Sequence, residues 1–307
     1  MPSLFSLFHR PATVMTTIAA LSAIALPASA TSLVQLTNAT IISAPAPTDA
    51  LNQTVQALHN QMDQAANQRN RQGLLRFYSL EFTNSDGLNR ETLSQSLRQI
   101  WQQYPQLTYR TQVLKAKRVG SGIDAETMTT VSGKQVRGGR EVMVNITARS
   151  IQRWEKQQLV QQEILSEQTK LSFGENPPTV SVNLPDKIQV GQKYNYEAIV
   201  QEPLGKDILM GQLFDRAITT SAVTRPKTLQ LDMPSILELI GNRSFPRPRR
   251  QLKPNAQRIT LKRLRAGGFF KSGFAPRTPE NRRISAILVR HDAGVTIVTR
   301  RLRVVEK

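Results

Sequence analysis

The sequence contains no cysteine. Disulfides, thiolate nucleophiles, zinc–cysteine sites and iron–sulfur clusters are excluded together. Histidine is almost as scarce, with only His9, His59 and His291. Three scattered imidazoles do not make a histidine metal centre or a Ser-His-Asp triad, which need converging partners. No resident metal and no cofactor are expected. Aromatic residues make up 6% of the chain, so the core is lean. After the first thirty residues no apolar run approaches the roughly 20 residues needed to span a membrane. Acid is missing where base is most abundant. From Gly241 to Lys307 there are 18 Lys/Arg against Glu280, Asp292 and Glu306, a net +15 out of +19 for the chain.

What is present first is an address. His9 and Arg10 precede an apolar run from about Ala12 to Leu26, and Ala28-Ser29-Ala30 follows. A basic start, a short apolar middle and small residues at a cleavage site are the layout of a secretory signal peptide, residues 1–30. The expected mature chain starts near Thr31, with a flexible leader over 31–47. It works outside the cytoplasm, whether in a periplasm, in a thylakoid lumen or secreted.

Residues 48–173 change period part-way. Leu51, Val55, Leu58, Met62 and Ala65 fall on one face of an amphipathic helix, with Thr48 or Asp49 available as its cap. Asn70 can cap a short second helix carrying Leu74, Leu75, Phe77 and Tyr78. A third helix carries Leu93, Leu97, Ile100 and Trp101 and ends at Tyr104-Pro105, since the residue before proline disfavours helix. Then the period becomes two. Leu107–Val113, Ile123–Val131, Val142–Ala148 and Leu159–Leu171 read as strands of an antiparallel meander. Three helices followed by a meander predict an α+β layout.

This order is similar to that of the nuclear transport factor 2-like superfamily, which includes ketosteroid isomerase and SnoaL-like cyclases. The residues that carry the resemblance are Ala65-Ala66, Asn70, "LLRFYS" at Leu74–Ser79 and "FTNSDG" before the third helix. It implies an α+β cone in which three helices pack on a curved antiparallel sheet around a pocket. In the isomerase branch an Asp before the third helix is the general base, and Asp86 falls at that place. The same alignment puts Met62 where that branch has the tyrosine that donates to the developing enolate oxygen. A thioether cannot donate, so the base lacks its electrophile. Ser85-Asp86-Gly87 also reads as a plain turn, with Asp bonding its own backbone and Gly at positive φ. Tyr78, Trp101, Tyr104, Tyr109 and Trp154 are pocket-lining candidates as well as core aromatics. Glu163 and Glu167 could face a cavity, and read more readily as outward partners of Arg149 and Arg153.

Pro177-Pro178 marks the start of a second region, 174–307, whose short alternating strands predict an all-β sandwich, immunoglobulin-like in style. Ile284–Arg290 and Val295–Val305 form its clearest hairpin. The two-domain order behind a signal peptide resembles exported cyanobacterial proteins labelled by their first domain alone. Between Gly241 and Gly268 lie nine Lys/Arg and no acid, with Pro246, Pro248 and Pro254 keeping the first half extended. Arg247, Arg249, Arg250, Lys253, Lys262, Arg263 and Arg265 are the candidates for contact with an anionic membrane surface or polysaccharide. Export and the lack of interleaved aromatics weigh against nucleic acid. The sequence thus points to an exported, non-catalytic binding or interaction protein that takes a small apolar ligand, with a homodimer left open. An isomerase, dehydratase or cyclase using Asp86 as base is the alternative.

Overall fold

The computed structural model describes residues 47–137, 140–205, 207–219, 228–232, 256–264, 266–290 and 294–307. The signal peptide and leader lie outside these residues, as do Arg247, Arg249, Arg250, Lys253 and Arg265.

Three helices come first: α1 (Pro47–Asn67), α2 (Arg71–Leu75) and α3 (Arg90–Gln103), with β1 (Tyr78–Asn84) between the last two. Thr48 and Asp49 fall inside the first turn of α1, not at its cap. Asn70 caps α2 by accepting from the Gly73 amide, and Asn89 caps α3 in a reciprocal box with Thr92. Four long strands follow: β2 (Leu107–Val119), β3 (Gly122–Arg137), β4 (Arg140–Glu155) and β5 (Gln158–Phe173). The remaining strands are β6 (Val180–Asn183), β7 (Lys187–Gln189), β8 (Lys193–Val200), β9 (Leu209–Ala217), β10 (Thr228–Asp232), β11 (Ala256–Thr260), β12 (Lys262–Arg263), β13 (Gly268–Phe274), β14 (Glu280–Arg290) and β15 (Val295–Val305).

An α+β cone followed by a separate sandwich does not describe this chain. The described residues are 59% strand and 18% helix, mostly antiparallel, and their main feature is one ten-stranded sheet. The path runs β12-β9-β14-β15-β5-β4-β3-β2, with β1 also pairing β5 and β7 also pairing β15. The decisive ladder joins β15 to β5, from Val295 opposite Phe173 to Arg300 opposite Gln168. Left alone, the end of β5 beyond β1 would expose a row of unpaired backbone groups, and β15 satisfies them. The strands after Pro178 therefore extend the sheet laid down before it.

This pairing explains the sequence of β14 and β15. Most strands here have one buried face and alternate. In β14 the run Ile284–Val289 is nearly continuous in apolar residues, because both faces are covered. Ile287, Val289, Val295 and Ile297 join the apolar core shared with α1, α2 and α3. Ile284, Ala286, Leu288, Val298, Leu302 and Val304 face a second core with Tyr194, Tyr196, Ala198 and Val200. That second core lies under a three-stranded sheet of order β13-β8-β6.

Candidate functional site

Asp86 sits in a tight turn that Asn84 builds. The Asn84 side-chain oxygen accepts from the amides of Asp86 and Leu88 at 3.0 and 2.8 Å. Gly87 takes φ of 76°, a conformation that costs other residues strain. Asn84 therefore does the folding-back expected of Asp86, and the Asp86 carboxylate is released for another task. It meets Arg301 of β15 side-on, with Nη1 donating to Oδ1 at 2.9 Å and Nη2 to Oδ2 at 2.5 Å. Both side chains are fully buried.

Two more charges complete the cluster. Glu167 Oε2 accepts from Arg301 Nε and Nη2 at 3.4 Å, and Arg283 Nη2 lies 3.7 Å from the same oxygen. Arg283 stands directly opposite Arg301 across the β14–β15 ladder. Two opposed guanidiniums would repel, and the two carboxylates balance them. Burial opposes the charge on Arg301, but Asp86 and then Glu167 outweigh it and raise its pKa. For Arg283 burial prevails over Glu167, and the neighbouring Arg301 adds to the depression. Glu167 is thus an inward residue and not an outward partner of Arg149 or Arg153. Those pair with Glu126, and with Asp124 and Glu155, while Glu163 pairs with Arg303. A carboxylate gripped through both oxygens by a buried guanidinium is a structural anchor.

The aromatic candidates gather in one place. Tyr78, Trp101, Tyr104, Tyr109 and Trp154 are all buried in the helix-side core. Trp101 Nε1 donates to the Tyr109 hydroxyl at 2.9 Å, and the Arg69 guanidinium lies 5.7 Å from both ring centres. Burial raises the pKa of Tyr78 and Tyr109. Lys262 and Arg263 are exposed on β12, at one end of the sheet's path.

Beside Trp154 lies a polar group that the sequence reading did not assemble. His59 and Asp63 are fully buried on α1, one turn apart and on the same stripe as Val55, Met62 and Ala66. That spacing was visible in the sequence and was passed over because both residue types usually face water. Beneath them Gln152 of β4 stands directly opposite Gln162 of β5. Next to this pair, Thr127 bonds Ser150 at 3.0 Å, and Gln162 Nε2 donates to Ser150 Oγ at 3.3 Å.

Proton positions follow from the donors. Trp154 Nε1 can only donate, and it reaches Gln152 Oε1 at 3.2 Å. The same oxygen is 2.8 Å from His59 Nε2, so that nitrogen carries the ring proton and Nδ1 is a bare acceptor. Burial lowers the His59 pKa from 6.5 to about 4, against a smaller upward pull from Gln152. The ring is neutral at neutral pH. His59 Nδ1, Gln152 Nε2 and Gln162 Oε1 have no hydrogen-bond partner among the described residues. An acceptor, a donor and an acceptor are thus unmatched within one buried cluster.

The family described as Domain of unknown function (DUF8623) matches residues 175–235 and 238–305. No curated protein matches the chain. Among solved structures, the chain is similar to Bd1075 of Bdellovibrio bacteriovorus, at 11% identity and a TM-score of 0.28, over 36% of this chain. The match spans 39% of the length of the Bdellovibrio protein. A cystatin-fold protein of Novosphingobium aromaticivorans matches at 13% identity and a TM-score of 0.27, covering 34% of this chain and 91% of its own. A protein of Catenulispora acidiphila with a ketosteroid isomerase-like fold, in complex with trimethylamine, matches at 14% identity and a TM-score of 0.24. It covers 34% of this chain and 80% of its own.

Proposed function

We propose that the protein is a non-catalytic binding protein that holds a small, uncharged, hydrogen-bonding molecule between α1 and the β4–β5 ladder. The observation that carries this reading is the unmatched set of His59 Nδ1, Gln152 Nε2 and Gln162 Oε1. A buried polar atom without a partner costs about 1–3 kcal/mol, and a ligand or water that pairs with all three removes that cost. Asp86 and Glu167 offset Arg283 and Arg301 nearby and the His59 ring is neutral, while Asp63 adds a buried carboxylate on α1. Chemistry on the ligand is not part of the proposal, because Asp86 is committed to Arg301.

Native mass spectrometry of protein purified from the organism that makes it tests this directly. The expected spectrum shows an added mass under gentle ionisation that disappears on denaturation. Gln162→Met removes the unmatched acceptor together with the amide donor to Ser150 while keeping the side-chain length, and is expected to lose the added mass with little change in circular dichroism. A bare wild-type mass would remove the reading.

Export after cleavage near Ala30 belongs to the same proposal and rests on the signal-peptide layout of residues 1–30. So does contact of the basic segment 241–268 with an anionic surface, at about 1 kcal/mol per Lys/Arg near charged lipid. Mature protein is expected to bind anionic vesicles and to release them as salt rises. Equal binding after deletion of residues 243–265 would discard the surface contact while leaving the ligand proposal standing.

A further inference from the structure

The three-stranded sheet carries an unusual edge. β13 pairs with β8 on one side only among the described residues, from Gly268 opposite Ile199 to Phe274 opposite Lys193. Its side chains alternate strictly. Phe269, Lys271 and Gly273 turn toward the second core, where Phe269 packs and Lys271 pairs with Asp215 at 3.3 Å. Phe270, Ser272 and Phe274 turn outward, and the two phenylalanines are 59% and 72% exposed. Edge strands are normally guarded by a charge, a proline, a bulge or a covering segment. On β13 the one charge, Lys271, is paired with Asp215, no proline interrupts the strand, and the register with β8 is unbroken.

The backbone of the same three residues faces the open side. Val200 N donates to Gly267 O, and Ala275 N donates to Gln192 O, at the two ends of the ladder. With no bulge between, the odd-numbered residues are the ones bonded to β8. The N–H and C=O groups of Phe270, Ser272 and Phe274 therefore point away from it.

We propose that this edge pairs antiparallel with the same strand of a second copy of the chain, centred on Ser272. The strand is self-complementary in that register. Phe270 meets the second copy's Phe274 twice, Ser272 meets its own counterpart, and Lys271 lies opposite Gly273, so no like charges oppose. Each outward-facing pair exchanges two backbone hydrogen bonds. The next strand keeps like charges apart. Lys193 lies beside Phe274 and Glu197 beside Phe270 on the same outward face. Each joined row then reads lysine, phenylalanine, phenylalanine, glutamate, with opposite charges at its ends. A two-fold axis through Ser272 repeats this row in reverse, as an isologous interface requires.

Sedimentation of the full mature chain over a concentration series, with amide hydrogen exchange on β13, tests the pairing. The expected result is a dimer that falls to half its mass on dilution, with the Phe270, Ser272 and Phe274 amides losing protection at the same time. Ser272→Pro removes an N–H that β8 does not use, so it is expected to leave thermal melting nearly unchanged and to abolish the dimer. Phe270→Glu or Phe274→Lys alone is expected to weaken it. The two together place opposite charges across both outer pairs and are expected to restore it. Three results would overturn the proposal: a monomer at every concentration, a dimer that survives Ser272→Pro, or protection of these amides in the monomer. The last would show that another segment of the same chain covers the edge.

Discussion

Arg301→Met is expected to destabilise the protein by about 3–5 kcal/mol, the usual cost of removing one partner from a buried ion pair. The guanidinium is fully buried and holds both oxygens of Asp86. Without it, Asp86 and Glu167 are two like charges away from water with one guanidinium fewer to balance them. The loss reads out as a lower urea midpoint at neutral pH. Asp86→Ala with Arg301→Ala, each alone and combined, gives the coupling between them. A strongly favourable coupling is expected, because each single change strands the other charge. Arg301 is on the last strand and Asp86 on the turn after β1, so hydrogen exchange should speed up at both places in either variant. An Arg301→Met protein as stable as wild type would show that the cluster is not an anchor.

His59 sets the second large effect, a dependence of stability on pH. Its folded pKa is about 4, against 6.5 for an unconstrained imidazole. Above pH 6.5 the ring is neutral in both states and makes no pH-dependent difference. Below 6.5 the unfolded chain takes up a proton that the folded protein refuses until about pH 4. Stability therefore falls as pH drops through that window, by about 3 kcal/mol in total at 1.36 kcal/mol per unit. The check is urea denaturation of wild type and His59→Gln at intervals from pH 7.5 to pH 4. Carboxylates contribute equally to both curves, and the variant should lack one proton's worth of slope. Parallel curves would show that His59 is not held neutral by burial.

The same cluster shows why part of the site was legible and part was not. Helical spacing gives Val55, Leu58, Met62 and the stripe they share, and His59 and Asp63 lie on that stripe. The sequence offers the position but not the partner. Gln152 becomes an interior residue only when β4 and β5 pair in a register that sets it opposite Gln162. Asp86 was recognised as a turn residue, yet its binding partner is Arg301, more than two hundred positions away. Nothing local distinguishes that arginine from its neighbours in "TRRLRVV". Arg303 shares a strand face with Arg301 and is still partly exposed, so what singles out Arg301 is the place where Asp86 and Glu167 meet it.

By itself the sequence determined the local matters. These were the absence of thiol chemistry, the three helices with the Asn70 cap and the Tyr104-Pro105 stop, the four long strands of the meander, and the Gly87 turn. Each follows from capping, proline and side-chain period within a few residues. The tertiary structure alone decided that β15 joins β5, which turns an expected cone and sandwich into one ten-stranded sheet. It also decided that the Asp86 carboxylate is paired with Arg301. Hydrogen-bond ladders and buried charge pairs are satisfied between segments far apart in the chain, and side-chain period records which face a residue takes but not which strand will lie beside it.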